Sequence, residues 1–113
     1  MIRFCKSGTS AAPISTPRSP RATITASAVA RLRPRRPIIG LTHHDYSLRH
    51  MALEWGVTPV SIEEAADVEE LWSVSIAAAK GTGIVEPGDR VVLTAGTAVN
   101  IPGSTNVIKV EIA

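Results

Sequence analysis

Gly88-Asp89-Arg90-Val91-Val92-Leu93-Thr94-Ala95-Gly96, followed by Pro102-Gly103-Ser104-Thr105-Asn106-Val107-Ile108-Lys109-Val110, decides the fold of this chain. Arg90 to Thr94 is a short, nearly continuous apolar run after a turn, the pattern of a buried strand. A glycine-punctuated loop and a Gly-Ser-Thr-Asn turn follow. Val107 to Ile112 then alternates. That spacing puts Ile108, Val110 and Ile112 on one face of a strand and Lys109 and Glu111 on the other, so the charged side is expected to be the wet one. At this level the two strands either form a hairpin or separate around a neighbour.

Upstream, strands alternate with helices. Asp67 opens the strongest helical pattern, with Glu69 and Glu70 in the first turn, where negative charge suits the helix dipole. Val68, Leu71, Trp72, Ser75, Ile76 and Ala79 keep the 3.6-residue period, and Gly81 or Gly83 ends it. Val57 to Ile62 reads as a strand in which Pro59 favours an edge. Tyr46 to Trp55 reads as a helix with Leu48, Met51, Ala52 and Trp55 on one stripe. Pro37 to Thr42 is another short apolar run, a buried parallel strand. Thr25 to Leu32 suits a short helix facing inward through Ala26, Val29, Ala30 and Leu32. The alternation predicts a small three-layer α/β/α sandwich with a mostly parallel sheet of about four to five strands.

One domain fits 113 residues, and an eight-stranded α/β barrel, which needs roughly 200 residues, does not. The single Cys5 permits no internal disulfide or cysteine metal cluster and suits a reducing, cytoplasmic setting. No apolar run reaches the length of a membrane span. The net charge of +2 conceals an asymmetry: residues 1–44 carry eight Lys or Arg and no acid, whereas residues 45–113 carry four basic and ten acidic residues. An acid-free start rich in Ser and Arg is compatible with a short transit peptide or with a nucleic-acid arm. Pro13, Pro17 and Pro20 favour loop or disorder there, so residues 1–24 are expected to lie outside the folded domain and residues 25–113 to form it.

Chemistry-bearing residues are sparse. His43 and His44 sit at a strand end, but adjacent side chains are expected to point apart, and His50 falls on the next helix. Glu63-Glu64 reads as a solvated turn. Trp55 and Trp72 read as core or interface packing at helical spacing, not as a stacking platform. Neither Cys5 nor Ser104 has the neighbours a nucleophile needs. No catalytic residue and no metal ligand is expected.

Five motifs in order resemble the C-terminal domain of pyruvate kinases. They are Arg33-Pro34-Arg35-Arg36-Pro37-Ile38-Ile39, Leu53-x-Trp55-Gly56-Val57-x-Pro59-Val60, Asp67-Val68-Glu69-Glu70-Leu71, Glu86-Pro87-Gly88-Asp89 and Pro102-Gly103-Ser104-Thr105-Asn106. The resemblance runs from Thr25 to Ala113. It implies a regulatory and subunit-pairing domain, taken from an enzyme that converts phosphoenolpyruvate and ADP to pyruvate and ATP in glycolysis. The family's Lys-x-Glu, Arg-Gly-Asp-Leu-Gly and Ser-Gly-Glu-Thr-Ala barrel motifs do not occur in the sequence. The Mg²⁺ and K⁺ of the reaction would belong to that barrel, so this chain is expected to hold no cofactor and to be inactive alone, as a truncated product or a fragment of a longer enzyme; the alternative is a free-standing phosphate-effector-binding or protein-interaction module.

The resemblance also implies a pocket for a phosphorylated effector, a nucleotide monophosphate or a sugar phosphate. It would be lined by Thr23 and Thr25 at a helix start and by Thr94, Gly96, Thr97, Gly103, Ser104 and Thr105 around the loop between the last two strands. Hydroxyls and free backbone amides suit phosphate oxygens. The family's Thr-x-Ser-Gly-x-Thr-Ala turn is altered before Thr25-Ala26, where Ala22-Thr23 stands in place of Ser-Gly. Lys6-Ser7-Gly8-Thr9-Ser10-Ala11 matches that turn but lies upstream, so residues 6–11 are either displaced by an insertion or belong to a mis-read start. Leu71 occupies the place where bisphosphate-activated members carry an arginine, which argues against a bisphosphate. The partners implied are such an effector and a homo-oligomer or full-length subunits; no nucleic acid and no membrane are expected.

Overall fold

A computed structural model describes residues 23–96 and 105–113. The element order is α1 (Thr23–Ala30), β1 (Ile38–Thr42), α2 (Asp45–Met51), β2 (Val57–Ser61), α3 (Val68–Gly81), β3 (Arg90–Gly96) and β4 (Thr105–Ile112). The α/β alternation expected from the sequence is present. The readings placed on residues 1–22, including the segment 6–11, lie outside the described residues.

All five residues of β1 are buried, as a strand sandwiched between helix layers must be. Successive side chains point to opposite faces. Ile38 packs with Val29 and Ala30 of α1, while Ile39 and Leu41 pack in a larger cluster with Trp72 and Ala79 of α3. Helices thus cover both faces of β1, which gives the three layers. Leu32, expected on the inward face of the first helix, is 46% exposed because α1 ends at Ala30.

β1 and β2 are parallel, in register from Ile38 opposite Val57 to Thr42 opposite Ser61. Ile38 N–H donates to the Gly56 carbonyl (3.1 Å), and Ile62 N–H donates to the Thr42 carbonyl (3.1 Å). Backbone groups alternate in direction along a strand, so Thr58 and Val60 answer β1 and Pro59 faces the outer edge. A residue without an N–H is tolerated there, as expected for it.

The helix expected to reach Trp55 stops at Met51, and turns carry the chain on to Gly56, whose φ of 68° suits glycine. The stripe breaks with it: Met51 is fully buried, but Ala52 is exposed and Trp55 is 51% exposed. Trp55 is therefore not a core residue, and the Arg33 guanidinium lies 5.5 Å from its ring centre. Met51 enters the core where β1 carries Gly40. A Cβ at Gly40 would overlap the Met51 thioether sulfur and come within 3.3 Å of Val57 Cγ1.

At the start of α3, Asp67 accepts a hydrogen bond from Glu70 N–H (2.8 Å), and the Glu70 carboxylate accepts one from Ala66 N–H (2.8 Å). This reciprocal cap fixes the helix start read from the sequence. Gly83, at φ 74°, terminates the other end after Thr82. Trp72, Ser75 and Ala79 form the buried stripe, and Ser75 Oγ donates back to the Leu71 carbonyl.

β3 and β4 form an antiparallel pair, with Arg90 opposite Ile112 and Thr94 opposite Ile108. The two strands that close the sequence thus face each other directly. Among the described residues the strands make two two-stranded sheets, β1–β2 and β3–β4, rather than one continuous sheet. A shared core joins them: Ile39 and Leu41 of one pair and Val91, Leu93 and Ala95 of the other cluster with Trp72 and Ala79 of α3.

The wet face of β4 is the reverse of the expectation. Ile108, Val110 and Ile112 are 74%, 60% and 68% exposed, whereas Lys109 and Glu111 are partly buried. The cause lies in β3. Val91, Leu93 and Ala95 must face α3, and directly opposed residues of an antiparallel pair share a face. Their partners are Glu111, Lys109 and Val107. The inward charges satisfy each other, with Lys109 Nζ 2.7 Å from Glu111 Oε2, and the ammonium lies 5.8 Å from the Trp72 ring centre. Glu111 Oε2 is buried and makes this ion contact in place of an aligned hydrogen bond.

Candidate functional site

The segment between β3 and β4 starts from a built base. Strand pairing holds Gly96 opposite Thr105, and the register shifts between Ala95 and Gly96. A register irregularity next to a glycine re-aims the chain as it leaves the sheet. Thr97, Gly103 and Ser104 lie outside the described residues. For Thr105, as for Thr23, the backbone placement alone is described.

Thr94 is the informative member of the set. It is 6% exposed, and its Oγ1 has no hydrogen-bond partner among the described residues. A buried hydroxyl left unpaired costs about 1–3 kcal/mol. The cost is removed when an acceptor arrives, which makes such a hydroxyl beside a loop base a candidate ligand contact. Sequence reasoning singled out Thr94 for its type and place. The unpaired state was not legible, because it depends on what packs around the hydroxyl.

Thr23 and Thr25 stand together in the first turn of α1, which packs through Val29 and Ala30 on Ile38 of β1. The structure therefore groups the expected residues in two places: Thr94, Gly96 and Thr105 at one end of the β3–β4 pair, and Thr23 and Thr25 at the start of α1. Thr42 Oγ1, at the end of β1, accepts from His44 N–H (3.2 Å).

Among the described residues, the remaining chemistry-bearing groups assemble nothing further. His43 and His44 do not point apart: their rings lie 3.9 Å centre to centre, tilted by 47°. Both are exposed, and among the described residues no group of three or more His, Cys, Asp or Glu is placed to hold a metal ion. His50 lies near Glu54 (3.8 Å), whose Oε1 accepts from Ser27 Oγ (2.8 Å) and so ties α1 to the turn after α2. Glu63, Glu64, Glu69 and Glu70 are exposed, as expected of a solvated turn and a helix start. No helix among the described residues is long and apolar enough to cross a membrane.

Comparison with known proteins agrees with the motifs. A pyruvate kinase of Clostridium acetobutylicum is 38% identical over 88 residues, which is 78% of this chain and 19% of that protein. One of Geobacillus stearothermophilus is 40% identical over 88 residues, 78% of this chain and 15% of that protein. Pyruvate kinase 2 of a Synechocystis species is 36% identical over the same share of the chain. The chain spans less than a fifth of the length of these relatives. The family model for the pyruvate kinase alpha/beta domain matches residues 1–111. On that match, which covers nearly the whole sequence, this chain belongs to the pyruvate kinase alpha/beta domain family.

Proposed function

We propose that the chain is a regulatory module that binds a phosphorylated effector, a nucleotide monophosphate or sugar phosphate, beside Thr94, pairs with other subunits, and carries out no phosphoryl transfer of its own. The observation that carries the effector reading is the buried, unpaired Thr94 Oγ1 next to the Gly96–Thr105 base. An anion above that base would accept from the hydroxyl and from backbone N–H groups of the glycine-bearing segment, the donors that suit phosphate oxygens. Membership of the family and the relatives' name support the parentage. The relatives are several times longer than this chain, and the motifs expected of a catalytic barrel do not occur in it.

Titration with AMP and with sugar monophosphates, followed by calorimetry and by the fluorescence of Trp55 and Trp72, tests the effector reading. A saturable signal is expected. Thr94→Val keeps the shape and removes the donor. It is expected to weaken binding by roughly 10- to 100-fold, since a hydrogen bond to a charged group contributes about 1.5–3 kcal/mol. The ligand-free stability of the variant should hold or rise, because an unpaired buried hydroxyl has been removed. Absence of any saturable response in the parent chain, or equal affinity in Thr94→Val, would refute it.

A further inference from the structure

The two connections that lead into β1 and β2 meet in one exposed surface. Residues 31–37 join α1 to β1, and residues 52–56 join α2 to β2. Ser27 Oγ donates to Glu54 Oε1 (2.8 Å), Ile38 N–H donates to the Gly56 carbonyl (3.1 Å), and the Arg33 guanidinium lies 5.5 Å from the Trp55 ring centre, so the two connections are held side by side. They occupy the end of the β1–β2 pair opposite to Thr42 and Ser61. Arg31, Arg33, Arg35 and Arg36 are exposed there, and among the described residues none of them is paired with a carboxylate. Glu54, the one carboxylate in these connections, is engaged by Ser27 and His50. Like charges gathered without a counter-charge repel one another, and an anionic partner relieves that repulsion. Leu53 is 89% exposed, and Leu32 and Trp55 are about half exposed, so the cations stand among protruding apolar groups, which mark interaction surfaces. Arg33 adopts φ 44°, a left-handed conformation unfavourable for a residue other than glycine, and in it the guanidinium stands over Trp55.

We propose that this surface docks an acidic segment of another protein, an extended stretch in which carboxylates are interspersed with apolar side chains. This goes beyond the function proposed above and uses none of its residues. Guanidinium groups pair with carboxylates through two parallel hydrogen bonds, and charge complementarity of this kind sets which partner docks. Leu32, Leu53 and Trp55 supply contacts for the partner's apolar side chains. The arrangement separates such a partner from other anions. Its apolar and cationic groups are interleaved: Leu32 stands between Arg31 and Arg33 in the sequence, and Arg33 lies over Trp55. A membrane surface requires an apolar face set apart from the basic one. A single-stranded nucleic acid requires an open aromatic face on which a base can stack, and Arg33 covers a face of Trp55.

The test is fluorescence anisotropy of a labelled synthetic peptide, Glu-Asp-Leu-Asp-Glu-Phe-Asp-Glu, titrated with the whole chain. Saturable binding that weakens with added salt is expected. The same peptide with glycine in place of its leucine and phenylalanine should bind about tenfold more weakly or worse, because the apolar contacts are lost while every charge is kept. Arg35→Glu combined with Arg36→Glu should weaken binding of the first peptide by about tenfold or more, and Leu53→Ser by about three- to tenfold. Lys80→Glu, an exposed charge reversal on α3 outside this surface, should change it by less than about twofold. Arg35, Arg36 and Leu53 are exposed, so these variants should keep the circular dichroism of the parent; should one unfold, the glycine peptide decides. Absence of saturable binding, equal affinity for the glycine peptide, or equal affinity in folded variants would overturn the proposal. Tighter binding of a single-stranded RNA oligomer or of phosphatidylserine vesicles at the same salt would overturn it as well.

Discussion

Trp72→Ala is expected to lower the unfolding free energy by about 3–5 kcal/mol, the usual cost of emptying a large aromatic site in a core. Trp72 is 6% exposed and sits where α3 meets both strand pairs. Its loss opens a cavity in the cluster it shares with Ile39, Leu41 and Leu93. It also strips the ring from the Lys109 ammonium, leaving that charge with Glu111 alone on the inner face. A small domain has a total stability of about 5–15 kcal/mol, so the variant should be close to unfolded near body temperature. Urea denaturation monitored by circular dichroism measures the change. A loss below about 1 kcal/mol would mean that α3 does not bind the two pairs into one core.

Leu93→Ala is the second large effect, with an expected loss of about 2–5 kcal/mol. Leu93 is fully buried on the inner face of β3, directly opposite Lys109 in the ladder. Removing it takes away an apolar neighbour of the Lys109 stem as well as a contact with α3. The same truncation at Val92, on the outer face of the same strand and only partly buried, should cost far less, within about 1 kcal/mol. The contrast reports the facing of the hairpin. Equal losses at the two positions would contradict the inward placement of Lys109 and Glu111.

That facing marks the limit of what the sequence made legible. The elements themselves were readable because each carries a local signal. Asp67 and Glu70 cap α3, Gly56 turns at positive φ, and Pro59 chooses an outer edge. The parity of β4 was not, because it is inherited from β3. In β3 the run Val91-Val92-Leu93 is apolar at every position and hides which residues face inward. The extent of α2 at Trp55 is illegible for a related reason. The spacing of Trp55 follows the stripe of α2, but the helix ends four residues earlier, at Met51, and spacing has no meaning beyond a helix end. His43 and His44 were expected to diverge as neighbours on a strand do, yet they follow β1 in irregular backbone where that rule lapses. Of the candidate site, Thr94 was legible by residue type and place, and its burial without a partner was not.

The proposed reading is a division of labour within a longer kind of enzyme, with binding and pairing assigned to this chain and phosphoryl transfer to parts that it does not contain. The most direct measurement is pyruvate formation by the purified chain with saturating phosphoenolpyruvate, ADP, Mg²⁺ and K⁺, in a coupled assay. A rate equal to that of the blank is predicted. Turnover clearly above the blank, retained through repeated purification, would contradict the account.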